Sequence, residues 1–190
     1  SSAILCDLSL ISMEHQYLLK QCYIPITAVR YQDDILVFDL PNFIEIYGDI
    51  YSSELELEED SNEDGKNVHY LDTTITIDNG RIMRTLFDKR DSFNFKINNL
   101  FHSKSNVRRN LINNVAYAQT LRICKINNSY SGFIMGLRRL KTQLLTNGFN
   151  DKVLIDAIWK VSKNRIELIH KFMSNCQNTK AFIKNTIHII

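Results

Sequence analysis

The spacing of apolar residues turns helical from about residue 104 to the end, which restricts this chain to folds in which a mixed part gives way to a helical one. Ile26-Thr27-Ala28-Val29 and Ile35-Leu36-Val37-Phe38 are short β-prone runs. Leu71, Thr73, Ile75 and Ile77 then alternate with Asp72, Thr74, Thr76 and Asp78, the period-two pattern of a half-buried strand. From about residue 104 the spacing becomes helical. Val107, Leu111 and Val115 form one stripe, Phe133, Leu137, Leu140 and Leu144 a second, and Leu154, Ile158, Val161, Leu168 and Phe172 a third. Residues 3–18 read as a buried helix with Ile4, Leu8 and Ile11 inward. The predicted class is α+β, with a mixed part over residues 1–99 and an all-helical part over residues 100–190.

Turn signals subdivide both parts. Tyr31-Gln32-Asp33-Asp34 separates the first two apolar runs and places two acids at the tip of a hairpin. Pro41 fits the first turn of a short helix carrying Phe43, Ile44, Ile46, Tyr47 and Ile50, and Leu55 and Leu57 suggest a further strand. Residues 61–67 form a turn-rich loop. Asn79-Gly80 supplies the positive φ values of a tight hairpin, with Arg81 to Phe87 as the returning strand. Asn127 to Ser131 and Asn147 to Asn150 break the helices, Gly148 fitting a C-cap and Asn150 an N-cap. The last dozen residues suit a frayed helix or an edge strand.

Charge is divided unevenly. Residues 1–78 hold 3 Lys/Arg against 16 Asp/Glu, whereas residues 79–190 hold 20 against 5. An acidic part suits divalent cations or a solvated loop, and a basic part suits a polyanion. The longest apolar runs are too short to span a bilayer, and the first twenty residues lack the basic flank and apolar block of a secretory signal. The sequence therefore predicts an intracellular protein without a membrane partner. Cys6, Cys22, Cys124 and Cys176 lie far apart and lack metal-ligand spacing, which predicts reduced thiols. The chain opens inside an amphipathic pattern without an initiator Met, as a piece of a longer protein would.

The motif that carries chemistry is Tyr31-Gln32-Asp33-Asp34. Nucleotidyl transfer uses two divalent cations about 4 Å apart, one at the attacking oxygen and one on the triphosphate. Adjacent carboxylates on a rigid hairpin offer hard oxygen ligands already in position. This reading expects both carboxylates to face one cleft. A plain surface turn, in which the acids accept backbone hydrogen bonds, is the alternative for the motif alone.

The flanking blocks narrow the choice. Ser1 to Met13 resembles the helix that precedes the Tyr-x-Asp-Asp hairpin of reverse transcriptases. Tyr70-Leu71-Asp72-Thr73-Thr74-Ile75, Asn79-Gly80-Arg81-Ile82 and Thr85-Leu86-Phe87-Asp88-Lys89-Arg90 resemble, in order, the Phe-Leu-Asp, glycine-turn and Leu-Tyr-Arg-Lys-Pro blocks of Penelope-like element reverse transcriptases. Leu100 to Lys104 resembles that family's Ser-x-His-Pro-Lys stretch. Ala116 to Cys124 resembles its helix-turn-helix segment, with Asp88, Arg90 and Ser103 among the departures.

The resemblance implies a partial polymerase palm, comprising an antiparallel sheet with the Tyr-x-Asp-Asp hairpin and packed helices over residues 1–99, and a helical thumb over residues 100–190. It implies RNA-directed DNA synthesis in an intact retroelement enzyme, with Asp33 and Asp34 as catalytic ligands of Mg²⁺ or Mn²⁺. Tyr31, Gln32, Phe87 and Lys89 would meet primer and template. Arg108, Arg109, Arg122, Arg138, Arg139 and Lys141 would meet the phosphates of an RNA template and DNA primer duplex, nucleoside triphosphates being the other substrate. The family's upstream metal aspartate and fingers lie outside this chain, so the chain alone is expected to be inactive, and the location implied is nuclear. A catalytically inactive helix-turn-helix module that binds nucleic acid is the alternative. Trp159 and its apolar neighbours read as core.

Overall fold

Helix α1 (Ser2–Lys20) leads into strands β1 (Thr27–Tyr31) and β2 (Asp34–Phe38), which pair antiparallel with Thr27 opposite Phe38 and Tyr31 opposite Asp34. The structure, a computed structural model, describes residues 2–20, 27–40, 42–59, 66–95, 97–98, 100–173 and 178–190. Ile26, Pro41, Cys22, Cys176 and the loop over residues 61–65 lie outside the described residues. Helix α2 (Phe43–Ile50) follows β2 and buries Phe43, Ile46 and Ile50 on one face. Each such side chain stabilises the fold by roughly 1.5–3 kcal/mol on removal from water. Together with Tyr17 and Tyr51 they form a small core, against which Leu10, Met13, Ile35 and Val37 pack.

The face that α1 turns inward is not the expected one. Ile4, Leu5, Leu8 and Ile11 are all more than half exposed, Leu5 at 68%. The inner stripe is Asp7, Leu10, Met13, Glu14 and Tyr17, at helical spacing. Two carboxylates on that stripe hide it from an apolar count, and both are matched by a cation from β1. Leu55 and Leu57 form no strand, since residues 55–59 run outside any ladder.

Strands β3 (Asn67–Tyr70), β4 (Thr73–Asp78) and β5 (Arg81–Leu86) make a three-stranded antiparallel sheet in that order. Asn79 and Gly80 both take positive φ, 49° and 73°, as the predicted tight hairpin requires. After a 3-10 turn at Lys89–Ser92 come helices α3 (Arg109–Ile126), α4 (Tyr130–Thr146), α5 (Asp151–Asn164), α6 (Ile166–His170) and α7 (Thr179–Ile189). The last dozen residues are thus a helix, anchored by buried Phe182 and Ile183.

Phe133 of α4 stacks on Phe172 at 4.5 Å within a core that includes Leu137, Leu154, Ile158 and Val161. The α3–α4 link covers the edge of the sheet. Asn128 accepts from the Arg84 backbone N–H through its side chain (2.8 Å) and donates to the Ile82 carbonyl (2.8 Å), while its own N–H donates to the Arg84 carbonyl (3.2 Å). An edge strand's unpaired backbone groups are thereby satisfied.

This docking explains where the chain divides. Its two compact units are Ser1–Ser61 and Asn62–Ile190, so the three-stranded sheet shares a unit with the helices that follow it. The three-stranded sheet belongs with the helices because the Asn127-Asn128 link binds it there. Among the described residues, no helix is long and apolar enough to cross a membrane.

Candidate functional sites

In the first unit the β1–β2 hairpin closes through two residues, Gln32 and Asp33. Gln32 takes φ 55°, a left-handed backbone value that glycine adopts most readily. A non-glycine residue costs about 1–2 kcal/mol in the left-handed region. Arg30 holds the turn in place, its Nη1 donating to the Gln32 carbonyl at 3.0 Å.

The same guanidinium ties the hairpin to α1. Nη1 meets Asp7 Oδ1 at 2.8 Å and Nε meets Glu14 Oε1 at 2.5 Å, and the Arg30 side chain is only 12% exposed. Tyr51, the residue after α2, donates its hydroxyl to the same Glu14 oxygen at 2.7 Å. The Glu14 hydrogen bond holds the Arg30 proton more tightly than usual, against the opposing effect of burial. Burial, reinforced by Glu14, pushes the Tyr51 phenol well above its ordinary range, so it stays a donor.

A cavity of about 380 Å³ opens beside this network, lined on its polar side by Cys6, Asp7, Arg30, Gln32, Asp33 and Glu56 and on its apolar side by residues that include Tyr47 and Leu57. Asp33 faces it and Asp34 does not. Asp34 opens β2 opposite Tyr31, and side chains alternate along a strand, so it belongs to the face away from Arg30 and Ile35. The expectation of one shared cleft gives way to two faces. Both acids are exposed, and neither side chain makes an ion pair among the described residues. They are hard oxygen donors of the kind Mg²⁺ takes. No three His, Cys, Asp or Glu side chains converge on a common cation position among the described residues.

The second unit holds a more polar pocket, of about 330 Å³, between the end of β5 and the facing sides of α3 and α4. Gln119 and Arg122 lie three apart on α3 and Arg139 and Gln143 four apart on α4, spacings that put each pair on one helix face. Gly136 lets the helices approach, since a Cβ there would lie 2.8 Å from the Ile123 side chain. Phe87 and Lys89 enter from the strand end, Phe87 stacked on His69 at 4.0 Å.

Two acids are already matched by cations in this pocket. Arg122 Nε meets Asp72 Oδ2 at 2.6 Å. Asp88 receives Arg90 through Nε (2.7 Å) and Nη2, a fork that binds both carboxylate oxygens, and receives Arg139 Nη2 at 3.1 Å. Arg90 chiefly, with Arg139 assisting, holds the Asp88 carboxyl below the usual carboxylate range against the opposing effect of burial.

Of the residues singled out in the sequence, the structure thus brings Phe87, Lys89, Arg122 and Arg139 together. Arg138 instead donates to the Ile189 carbonyl at the end of α7 (3.0 Å), a favourable place for a cation. Lys141 pairs with Asp151 in the first turn of α5 at 3.4 Å. Exposed Arg108 stands at the N-cap of α3, and Arg109 opens that helix with its side chain outside the description. Sequence reasoning missed Arg30, Glu14, Gln119 and Gln143. The paired spacings on α3 and α4 were a usable signal for the last two, whereas Arg30 stands in an apolar run with nothing beside it to mark its partners.

Comparison with protein-family models, with curated proteins and with solved structures finds no match to this chain.

Proposed function

We propose that this chain is the C-terminal part of a reverse transcriptase, its first residues contributing the Asp33-Asp34 hairpin of the palm and its helices the thumb. The observation that carries the reading is a pair of adjacent, exposed carboxylates at the tip of a two-residue hairpin. The pocket shared by Phe87, Lys89, Arg122 and Arg139 supports it, because the end of a strand and two helices there present cations to the same space. Asp33, on the cavity side, would be the principal ligand of Mg²⁺ or Mn²⁺, which supplies Lewis acidity to phosphoryl transfer, and Asp34 the auxiliary one from the other face of the hairpin. Arg30, by fixing the Gln32 carbonyl, would keep Asp33 in position. Phe87 and Lys89 would set the primer end, with an RNA–DNA duplex and nucleoside triphosphates as substrates and the nucleus as location.

A second reading, a nucleic-acid-binding module without chemistry, draws on the charge of residues 62–190, which hold 21 Lys/Arg against 9 Asp/Glu. One experiment separates the two. The chain is titrated with Mn²⁺ while NMR line broadening is followed, and its binding to an RNA–DNA hybrid is measured across a salt series. The polymerase reading expects millimolar Mn²⁺ binding that broadens residues 31–34 and is lost in Asp33→Asn/Asp34→Asn, together with hybrid binding that weakens steeply with salt. Hybrid binding without localised broadening supports the module. Absence of both overturns both.

A further inference from the structure

We propose that the pocket between β5, α3 and α4 is a binding site for a phosphate monoester, a compact dianion. Among the described residues Lys89, Arg90, Arg122 and Arg139 line it with Asp72 and Asp88, and Gln119 and Gln143 add neutral carboxamide donors. The described side chains of the lining sum to +2, which a monoester dianion neutralises and a diester only halves. Asp88 marks where an anionic oxygen is held, since its carboxylate already receives guanidinium groups from both Arg90 and Arg139. Planar forks of this kind suit phosphate oxygens as well as carboxylate.

The lining is built to stay charged. Arg90 chiefly holds the Asp88 carboxyl below the usual carboxylate range, so the carboxylate that engages both arginines stays ionised near pH 7. The volume of about 330 Å³ admits a phosphate with a small organic group, and Leu86, Phe87, Ile123 and Leu140 give that group an apolar wall. A chloride ion would leave most of this space and most of these donors unused.

The inference does not rest on the polymerase reading. It concerns one terminal phosphate, and the dianion preference distinguishes it from binding to a nucleic-acid backbone, which offers monoanionic diesters. The test titrates the full chain at pH 8 and constant ionic strength with methyl phosphate, a dianion there, and with dimethyl phosphate, a monoanion of similar size. Chloride serves as the reference, and the arginine Nε–H resonances are the readout.

Methyl phosphate is expected to bind with a Kd on the order of 1 mM, about tenfold tighter than dimethyl phosphate, and to shift the signals of Arg90, Arg122 and Arg139 selectively. Arg122→Gln, which halves the surplus charge, should weaken methyl phosphate by about tenfold. Because that change also removes the Asp72 ion pair, Gln143→Leu is the second variant. It leaves all charges in place, and its loss of a donor should weaken methyl phosphate several-fold. Equal binding of the two esters would make the pocket a backbone site and overturn the proposal, as would no saturable shift up to about 50 mM or full retention of affinity in both variants.

Discussion

Replacing Arg30 with Met should loosen the first unit by about 2 kcal/mol while leaving the second untouched. The figure follows from the exposures of the network. Breaking a fully buried ion pair costs about 3–5 kcal/mol and a surface pair contributes about 0–1. Here the guanidinium is 12% exposed, but its partners Glu14 and Asp7 are 31% and 47% exposed, which places the effect between those limits. Met keeps the apolar stem, so the loss is of charge and donors and not of packing. Left unmatched, Asp7 and Glu14 would stand seven residues apart on the inner face of α1, and the Gln32 carbonyl would lose its donor. Hydrogen exchange read by mass spectrometry on the full chain is the assay. A loss of about 2 kcal/mol raises the opening equilibrium of residues 27–38 about 30-fold, and peptides from α4 should not change. Arg30→Lys should fall between, since an ammonium cannot fork across two carboxylates. Less than a threefold change in the hairpin, or equal losses in both units, would refute the reasoning.

Other consequences are simpler to read. Ser129→Ala should destabilise the second unit by about 1 kcal/mol in denaturant melts followed by Trp159 fluorescence, because the Ser129 hydroxyl caps α4 by accepting from the Gly132 N–H at 3.1 Å. Iodoacetamide should label exposed Cys6 in the folded chain but reach buried Cys124 only on unfolding. Burial pushes the Cys124 thiol up to about 12, with nearby Lys171 acting in the opposite direction. A raised folded value means its contribution is fully present below the ordinary 9.0 and is lost as pH rises toward 12. The alkaline limb should therefore steepen by at most about 1.4 kcal/mol per pH unit, and Cys124→Ala should flatten it.

The hairpins and helix breaks were legible because their residues have few conformational alternatives. Asn79-Gly80 fits a turn needing two positive φ values, and Asn127 and Asn147 stop helices where the periodic stripes end. What escaped was structure held by polar contacts. Strand β3 carries little apolar alternation; Asn67 Oδ1 accepts from the Thr76 hydroxyl (2.7 Å), and His69 Nδ1 lies 3.1 Å from the Thr74 hydroxyl. On α3 the buried stripe runs through Ile112, Ala116, Thr120 and Ile123, one position from the predicted Val107-Leu111-Val115 line. Thr120 can lie there because its hydroxyl donates to the Ala116 carbonyl at 2.8 Å. Asp7 and Glu14 concealed the inner face of α1 in the same way. Asn150 does precede α5, but without the expected side-chain cap bond.

Two hairpins in this chain share a turn, and comparing them shows what makes an aspartate available. Tyr31-Gln32-Asp33-Asp34 and Tyr70-Leu71-Asp72-Thr73 each place a non-glycine residue at φ 55° between a Tyr and an Asp, with Tyr31 opposite Asp34 and Tyr70 opposite Thr73. Backbone form therefore does not separate Asp33 from Asp72. Their counter-ions do. Arg122 arrives from α3 to neutralise Asp72 at 2.6 Å. The cation near Asp33 is Arg30, which lines the same cavity but is already matched by Asp7 and Glu14. Those two acids thus do more than fasten a helix to a hairpin. By engaging the guanidinium they leave Asp33 outside the ion pairs seen among the described residues.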